Sequence, residues 1–294
     1  MLSVVITTWN EAENLPRAVK SARLIADEIV VVDTQSTDNT VAIASKLGCK
    51  VYHHKNTGIV EPVRNFSISK AKGEWILLLD ADEVIPQELA VQITKTIKAN
   101  TADYFRLPRK NIIFGKHITS DHWWPDYVYR LFRKGFVVWS DAIHSIPVTR
   151  GRGGDFPAIP DQALIHHNYQ DISQFLNRLN RYTDYQLNLL TAQAFQFSWG
   201  QLISAPAQEF LRQFFARRGY KDGVHGLALA SLQGFSEMVV YLKLWQSQQF
   251  KQEEISLAQY EKYSSIQFKQ LRWWLYEVRG PMYRLFRRIK TLIV

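Results

Sequence analysis

The stretch Trp75-Ile-Leu-Leu-Leu-Asp80-Ala-Asp82-Glu83 decides how this chain is read. An apolar run of strand length stops abruptly at two carboxylates one residue apart. A buried parallel strand delivers acids in this way to the rim of an α/β sheet, where open sheets bind their ligands. If the extended conformation persists, Asp80 and Asp82 share strand parity and point the same way. Two carboxylates facing one small volume repel each other, and a divalent cation between them and a phosphate-bearing ligand keeps both ionised. The plain alternative is an acidic turn after a core strand, because a lone Asp-x-Asp is a weak motif.

Upstream, strand and helix alternate. Leu2 to Thr8 is a short β-branched apolar run that ends in Thr7-Thr-Trp9-Asn-Glu11. A helix is expected from about Asn14, with Pro16 in its first turn. Glu28-Ile-Val-Val-Val-Asp33 is a second buried strand ending in an acid. The cap-rich Thr34-Gln-Ser-Thr-Asp38-Asn-Thr follows and leads into a helix that runs to Leu47. Lys50 to His54 reads as a third strand, and Pro62 to Lys72 as a helix carrying Arg64 and Asn65. Repeated strand and helix units imply a parallel sheet with right-handed crossovers. The polar clusters at Thr7 to Glu11, Asp33 and Asp80 to Asp82 then lie on one sheet edge. The loop after the first strand holds no glycine, so it is not a dinucleotide-binding fingerprint, and the Walker lysine motif is absent. A metal on Asp80 and Asp82 is the natural substitute for a glycine cradle, since it neutralises phosphate charge directly.

Three ordered motifs, Ser3-Val-Val-Ile-Thr-Thr-Trp-Asn-Glu11, Val30-Val-Val-Asp-Thr-Gln-Ser-Thr-Asp38 and Leu78-Leu-Asp-Ala-Asp-Glu83, together resemble family 2 glycosyltransferases. The resemblance implies the GT-A fold: an α/β, Rossmann-like, mostly parallel sheet flanked by helices, here with a helical C-terminal extension. It implies a nucleotide-sugar donor, a UDP-sugar first. Thr7, Trp9 and Glu11 would line the nucleotide pocket, Asp33 would contact base or ribose, and Arg64 would lie near the nucleotide. Asp80 would approach the ribose and the metal, and Asp82 would ligate Mg2+ or Mn2+. The family's second motif usually has a small residue or Asp at position 34 and Gly at 35, and Thr34 and Gln35 depart from it. Each residue also has a plainer reading: Asp33 and Asp38 as capping acids, Arg64 as a solvated helix residue, Trp9 as core.

The middle of the chain resembles the lipopolysaccharide-core β-glucosyltransferase branch of that family. The resemblance rests on Trp123-Trp-Pro-Asp126 before Arg130-Leu-Phe-Arg133, on Ile143-His144-Ser145, and on His166-His-Asn-Tyr169. That branch has Val-His-Glu where this chain has Ile143-His144-Ser145. Inverting transfer needs a base on the face opposite the leaving nucleotide. If the missing Glu is the family's base, the candidates here are Asp126 first and Asp141 second. Asp126 is favoured by two neighbouring tryptophans that would stack a sugar and desolvate the carboxylate. His144 is placed as a metal ligand, with His166 also near the metal or pyrophosphate. The adjacency of His166 and His167 puts their rings on opposite faces of any strand.

Charge and composition narrow the setting. The 294 residues carry a net charge of +9 and a single cysteine, Cys49, so no intrachain disulfide is possible and a reducing compartment fits. Neither a secretory signal nor an 18-residue uncharged apolar window is read. From Ile266 onward, Lys269, Arg272, Arg279, Arg284, Arg287, Arg288 and Lys290 stand against Glu277 alone, interleaved with Trp273, Trp274, Tyr276, Tyr283 and Phe286. Such a segment reads as an interfacial helix on anionic lipid, or as a basic helix docked on the catalytic domain.

The expected layout is a catalytic domain over 1–170, a helical acceptor or membrane side over 171–250, and a basic amphipathic tail over 251–294. The expected function is inverting, metal-dependent sugar transfer to a lipid-linked or cell-envelope glycan, by an enzyme peripheral on the cytoplasmic face of the plasma membrane. The competing readings are sugar-nucleotide pyrophosphorylase chemistry and a catalytically inactive scaffold or nucleic-acid binder. The first wants a glycine-rich, arginine-containing loop that is missing here, and the intact Asp80 and Asp82 pair argues against the second.

Overall fold

A computed structural model of the chain describes residues 1–58, 60–140 and 146–290, with side chains described up to residue 280. In chain order the elements are β1 (Leu2–Thr8), α1 (Leu15–Ala22), β2 (Glu28–Asp33), α2 (Thr40–Lys46), β3 (Lys50–His53), α3 (Glu61–Lys70), β4 (Trp75–Leu78), β5 (Glu83–Val84) and α4 (Gln87–Ala99). They continue with β6 (Tyr104–Ile113), β7 (Lys116–His117), β8 (Asp126–Arg133), β9 (Val137–Val138), β10 (Val148–Thr149), β11 (Gly153–Asp155) and β12 (Leu164–Tyr169). Four helices close the chain: α5 (Ile172–Ala192), α6 (Gln201–Leu211), α7 (Val224–Ser247) and α8 (Leu257–Lys290). The chain forms two compact units, one of residues 1–112 and 123–168 and one of residues 113–122 and 169–294.

The first unit is built on a sheet of order β3-β2-β1-β4-β8-β6-β12-β5. β3, β2, β1 and β4 are parallel, in the register that sets Thr8 beside Asp33. Beyond β4 the direction reverses, with β8 antiparallel to β4 and β6 antiparallel to β8. Alternation along β1 serves both faces. Val4 and Ile6 join Leu15, Ala18, Leu77, Leu89 and Ile93 on one side, while Val5 joins Val30, Val32, Val63, Ile76 and Phe132 on the other. Burial on both faces is why these strands read as continuous apolar runs rather than as alternating ones.

Tyr104 to Pro108, which by sequence alone reads as an edge strand after a helix over Pro86 to Ala99, is instead the first half of β6, an interior strand of ten residues between β8 and β12. Local composition cannot separate an edge strand from a central one when the neighbours come from later in the chain. Of the two readings of the acid-bearing stretch, the structure takes the turn. β4 ends at Leu78, and Asp80 to Glu83 is a turn in which the Glu83 amide donates to the Asp80 carbonyl at 2.9 Å. Strand parity therefore does not govern Asp80 and Asp82. They leave a turn toward different partners.

The second unit is helical. Asp171 caps α5 by accepting from the Gln174 amide at 2.7 Å. α6 carries Pro206 inside and passes into a π-turn over residues 212–216. α7 packs on both α5 and α6, and α8 packs on α6. Asp222 is buried and ties residues 113–122 to this unit, accepting from the Thr119 and Ser120 amides at 2.9 Å each. Among the described residues no helix is long and apolar enough to cross a membrane.

Candidate active site

The first two parallel strands feed loops that are fastened to one another. The Asn10 amide donates to Ser36 Oγ at 2.8 Å, and the Thr37 amide to Asn10 Oδ1 at 2.7 Å. Asp38 accepts from the Thr40 and Ala12 amides at 2.9 and 3.1 Å, so it ties the start of α2 to the loop after β1. These donors outweigh the effect of its burial and lower the Asp38 carboxyl. The Glu11 amide donates to Thr40 Oγ1 at 2.8 Å, and the Glu11 carboxylate accepts from Asn14 Nδ2 at 2.8 Å. Thr7 Oγ1 lies 2.9 Å from Ser67 Oγ.

Asp33 is buried at the end of β2, where it accepts from the Ser36 amide at 3.2 Å and lies 3.6 Å from His53 Nδ1. Gln35 has φ 62°, the left-handed region that glycine adopts most readily, and its Oε1 accepts from the Asn56 amide at 3.0 Å. A side chain thus holds a turn conformation that glycine usually supplies. Trp9 is 42% exposed, which removes the core reading for it.

Asp80 lies among guanidinium groups. Arg130 donates to it directly, and Arg64 Nη2 stands 3.5 Å from its Oδ1. Arg64 comes from α3, is mostly buried and lies 5.7 Å from the Trp139 ring centroid, so it is not a solvated helix residue. Glu83, fully buried, accepts from Arg130 Nη2 at 2.8 Å and from Arg109 Nη1 at 3.5 Å, and its Oε2 accepts from the Asp80 amide at 2.9 Å. Burial acts to raise the Asp80 carboxyl, but Arg130, Arg64 and Arg109 outweigh it and hold the group below the ordinary carboxylate range. Burial acts to lower the Arg130 guanidinium, and Asp80 and Glu83 reverse that and raise it.

Asp82 has other partners. Its Oδ2 is 3.4 Å from His166 Nε2, and the His167 amide donates to its carbonyl at 3.0 Å. β12 lies antiparallel to β5, with His166 opposite Glu83, so the turn and the imidazole are placed by the same pairing. Asp126 opens β8. Its Oδ2 accepts from Arg109 Nε at 2.9 Å, Arg109 Nη2 at 2.6 Å and Asn111 Nδ2 at 3.1 Å. The carboxylate therefore sits among polar donors. Asp141 and His144, together with Ser145, lie outside the described residues.

Asp80, Asp82, Glu83, Asp126, Arg64, Arg109, Arg130, Asn111 and His166 thus form one connected cluster inside the first unit. Sequence reasoning missed Glu83, Arg109, Asn111 and Arg130. Arg130 and Arg109 alternate with apolar residues on long strands, a signal that marks one strand face but does not say what that face meets.

Residues 3–151 match the family described as Glycosyl transferase family 2. The chain belongs to glycosyltransferase family 2. The enzyme is 29% identical over 255 residues to an uncharacterized glycosyltransferase of Rickettsia conorii, covering 84% of this chain and 90% of that one. An uncharacterized glycosyltransferase of Rickettsia bellii is 30% identical over 252 residues, covering 83% and 85%. Among solved structures the glycosyltransferase is similar to S. aureus TarS 1-349 in complex with UDP-GlcNAc, with a TM-score of 0.46 and 16% identity, covering 82% of this chain and 91% of that one.

Asp82 is an oxygen ligand of the kind that hard divalent cations take. Asp82 offers a carboxylate oxygen and His166 an imidazole nitrogen across a 3.4 Å gap at the sheet rim. Among the described residues no group of three or more His, Cys, Asp and Glu gathers to form a closed cage. Mg2+ is commonly held by one or two carboxylates, with waters and substrate phosphate oxygens completing the shell. Asp80 is engaged by arginines, while Asp82 stands beside His166.

Proposed function

We propose that this glycosyltransferase moves a sugar from a nucleoside diphosphate sugar, a UDP-sugar first, to a hydroxyl of a lipid-linked or cell-envelope glycan, with inversion. The observation that carries this reading is the facing pair of Asp82 and His166 at the rim where β1, β2 and β4 end. Thr7, Trp9, Glu11 and Asp33 form the nucleoside side of that rim. A bound Mg2+ or Mn2+ on Asp82 and His166 would supply positive charge to the diphosphate as it departs. Arg64 and Arg130 hold Asp80 ionised, so that its carboxylate is ready to accept from the ribose hydroxyls.

In the transfer the bond from the anomeric carbon to the diphosphate oxygen breaks, and the acceptor oxygen bonds to the same carbon on the opposite face. The acceptor hydroxyl's proton goes to a carboxylate. Asp126 is assigned that role. Arg109 and Asn111 hold its Oδ2 and leave Oδ1 to take the proton. Asp141 is the second candidate. The basic, aromatic α8, with Phe268 and Trp273 more than half exposed, is assigned to an anionic membrane surface that carries the acceptor, and places the enzyme on the inner face of the plasma membrane.

Calorimetric titration of UDP, GDP and ADP, with and without Mn2+, into the wild type and an Asp82→Ala variant tests the donor site. One nucleotide binding tightly only when both Mn2+ and Asp82 are present is the expected result. No binding of any of the three by a folded protein would overturn the proposal.

A further inference from the structure

Asn111 is fully buried on β6, and it is the only side chain among the described residues that bonds both to His166 and to Asp126. Its amide nitrogen donates to the Trp123 carbonyl at 2.9 Å and to Asp126 Oδ2 at 3.1 Å. A carbonyl and a carboxylate only accept, so the NH2 end must lie on that side. The Oδ1 end therefore faces His166 Nδ1 at 2.7 Å and Asn168 Nδ2 at 3.4 Å. An amide oxygen cannot donate, so Nδ1 of His166 must carry the proton. In the neutral ring the lone pair then sits on Nε2, and Nε2 is the atom that faces Asp82 Oδ2 at 3.4 Å.

We propose that Asn111 is a positioning residue that reads the acceptor-side carboxylate, Asp126, and through its own fixed amide orientation presents the Nε2 lone pair of His166, together with Asp82, to a divalent cation. This rests on the assignment of Asp82 and His166 as the cation pair. It adds a link that neither ligand supplies. The same amide whose nitrogen steadies the proposed base has its oxygen setting the tautomer of the proposed ligand, so acceptor side and donor side share one buried side chain. A hydrogen-bonded neighbour of a ligating histidine commonly fixes ring and tautomer, and its loss weakens metal binding about 10- to 100-fold.

Two variants separate the two ends of the amide. Asn111→Leu removes both. Asn111→Asp keeps an oxygen for His166 Nδ1–H and loses the donor to Trp123 and Asp126. Mn2+ affinity, read by electron paramagnetic resonance on the purified full chain without donor, is expected to fall about 10- to 100-fold in Asn111→Leu and to stay within about threefold of wild type in Asn111→Asp. Long-range 15N correlation spectra of the metal-free protein, with His166 assigned by its loss in His166→Gln, are expected to show the Nδ1–H tautomer in wild type.

If His166→Ala leaves Mn2+ affinity unchanged, the cation pair itself is wrong. If His166→Ala weakens binding and Asn111→Leu does not, or if both Asn111 variants lose affinity equally, the role of Asn111 is overturned while the pair stands. An Nε2–H tautomer in the wild type overturns it as well, and that measurement holds even if neither Asn111 variant folds.

Discussion

Arg130 is the residue on which the buried charges of the site depend. It is 3% exposed and serves Glu83, which is fully buried, and Asp80 together. Arg130→Met would leave both carboxylates without their main cation, and removing one partner of a buried ion pair costs about 3–5 kcal/mol. Urea denaturation of the variant at pH 7 is expected to show a loss of that size. A more exposed pair, such as Arg106 with Asp155, is expected to give well under 1 kcal/mol on the same substitution.

Glu28 makes a second prediction at this scale. Burial acts to raise its carboxyl, but Lys50, Ser3 and the Lys72 amide bring it down to about 2 from 4.5. A depressed folded-state value means stability that is fully present above about pH 4.5 and is lost as the pH falls toward 2. Glu28→Gln should therefore be destabilised by at most about 3 kcal/mol at pH 7, with the gap to wild type closing through that window in pH-dependent denaturation.

At the scale of elements, glycines mark where helices approach closely. A Cβ on Gly226 of α7 would run into the Gly219 backbone carbonyl, and one on Gly234 would meet the Pro206 carbonyl at 2.8 Å. Backbone cannot step aside as a flexible side chain can, so Gly226→Ala is expected to lower the helical unit's thermal midpoint by several degrees, a shift of about 1–3 kcal/mol. Gly115→Ala should cost less, because that position has a positive φ but open space around it.

The strands and helices of the parallel half were readable because each is a local pattern. Val30 to Val32 and Ile76 to Leu78 are apolar on both faces, Pro16 and Pro62 open helices, and the acids follow the strands. Composition leaves open whether Asp80 to Glu83 continues β4 or turns, because nothing in it announces where the strand stops. Arg109, Asn111 and Arg130, and their meeting with His166, were out of reach for a different reason. They meet only because β8, β6 and β12 pair in an order unlike their order in the chain, and no local periodicity encodes that.

Across the whole molecule the charge of +9 and the exposed apolar residues of α8 act together. Leu257, Phe268 and Trp273 are 85%, 66% and 54% exposed. On the membrane assignment, the protein is expected to sediment with vesicles containing anionic lipid and to be released as salt is raised past the range where the Debye length falls below about 8 Å. A double variant, Phe268→Ala with Trp273→Ala, should weaken that partition at least tenfold while leaving nucleotide affinity unchanged. Equal sedimentation with neutral and anionic vesicles would remove electrostatics from the account.

The pairing of β5 with β12 has a consequence for how the enzyme is made. Asp82 and Glu83 emerge from the ribosome early, with the parallel strands that precede them, while His166 and the strand that pins their turn emerge only after β6 and β8. A nascent chain that has released β1 to β4 holds a sheet rim and its acids, but neither Arg130 to neutralise Asp80 nor an imidazole opposite Asp82. If Asp82 and His166 hold the cation as proposed, chains interrupted before Leu164 are expected to show no Mn2+-dependent binding of a nucleoside diphosphate.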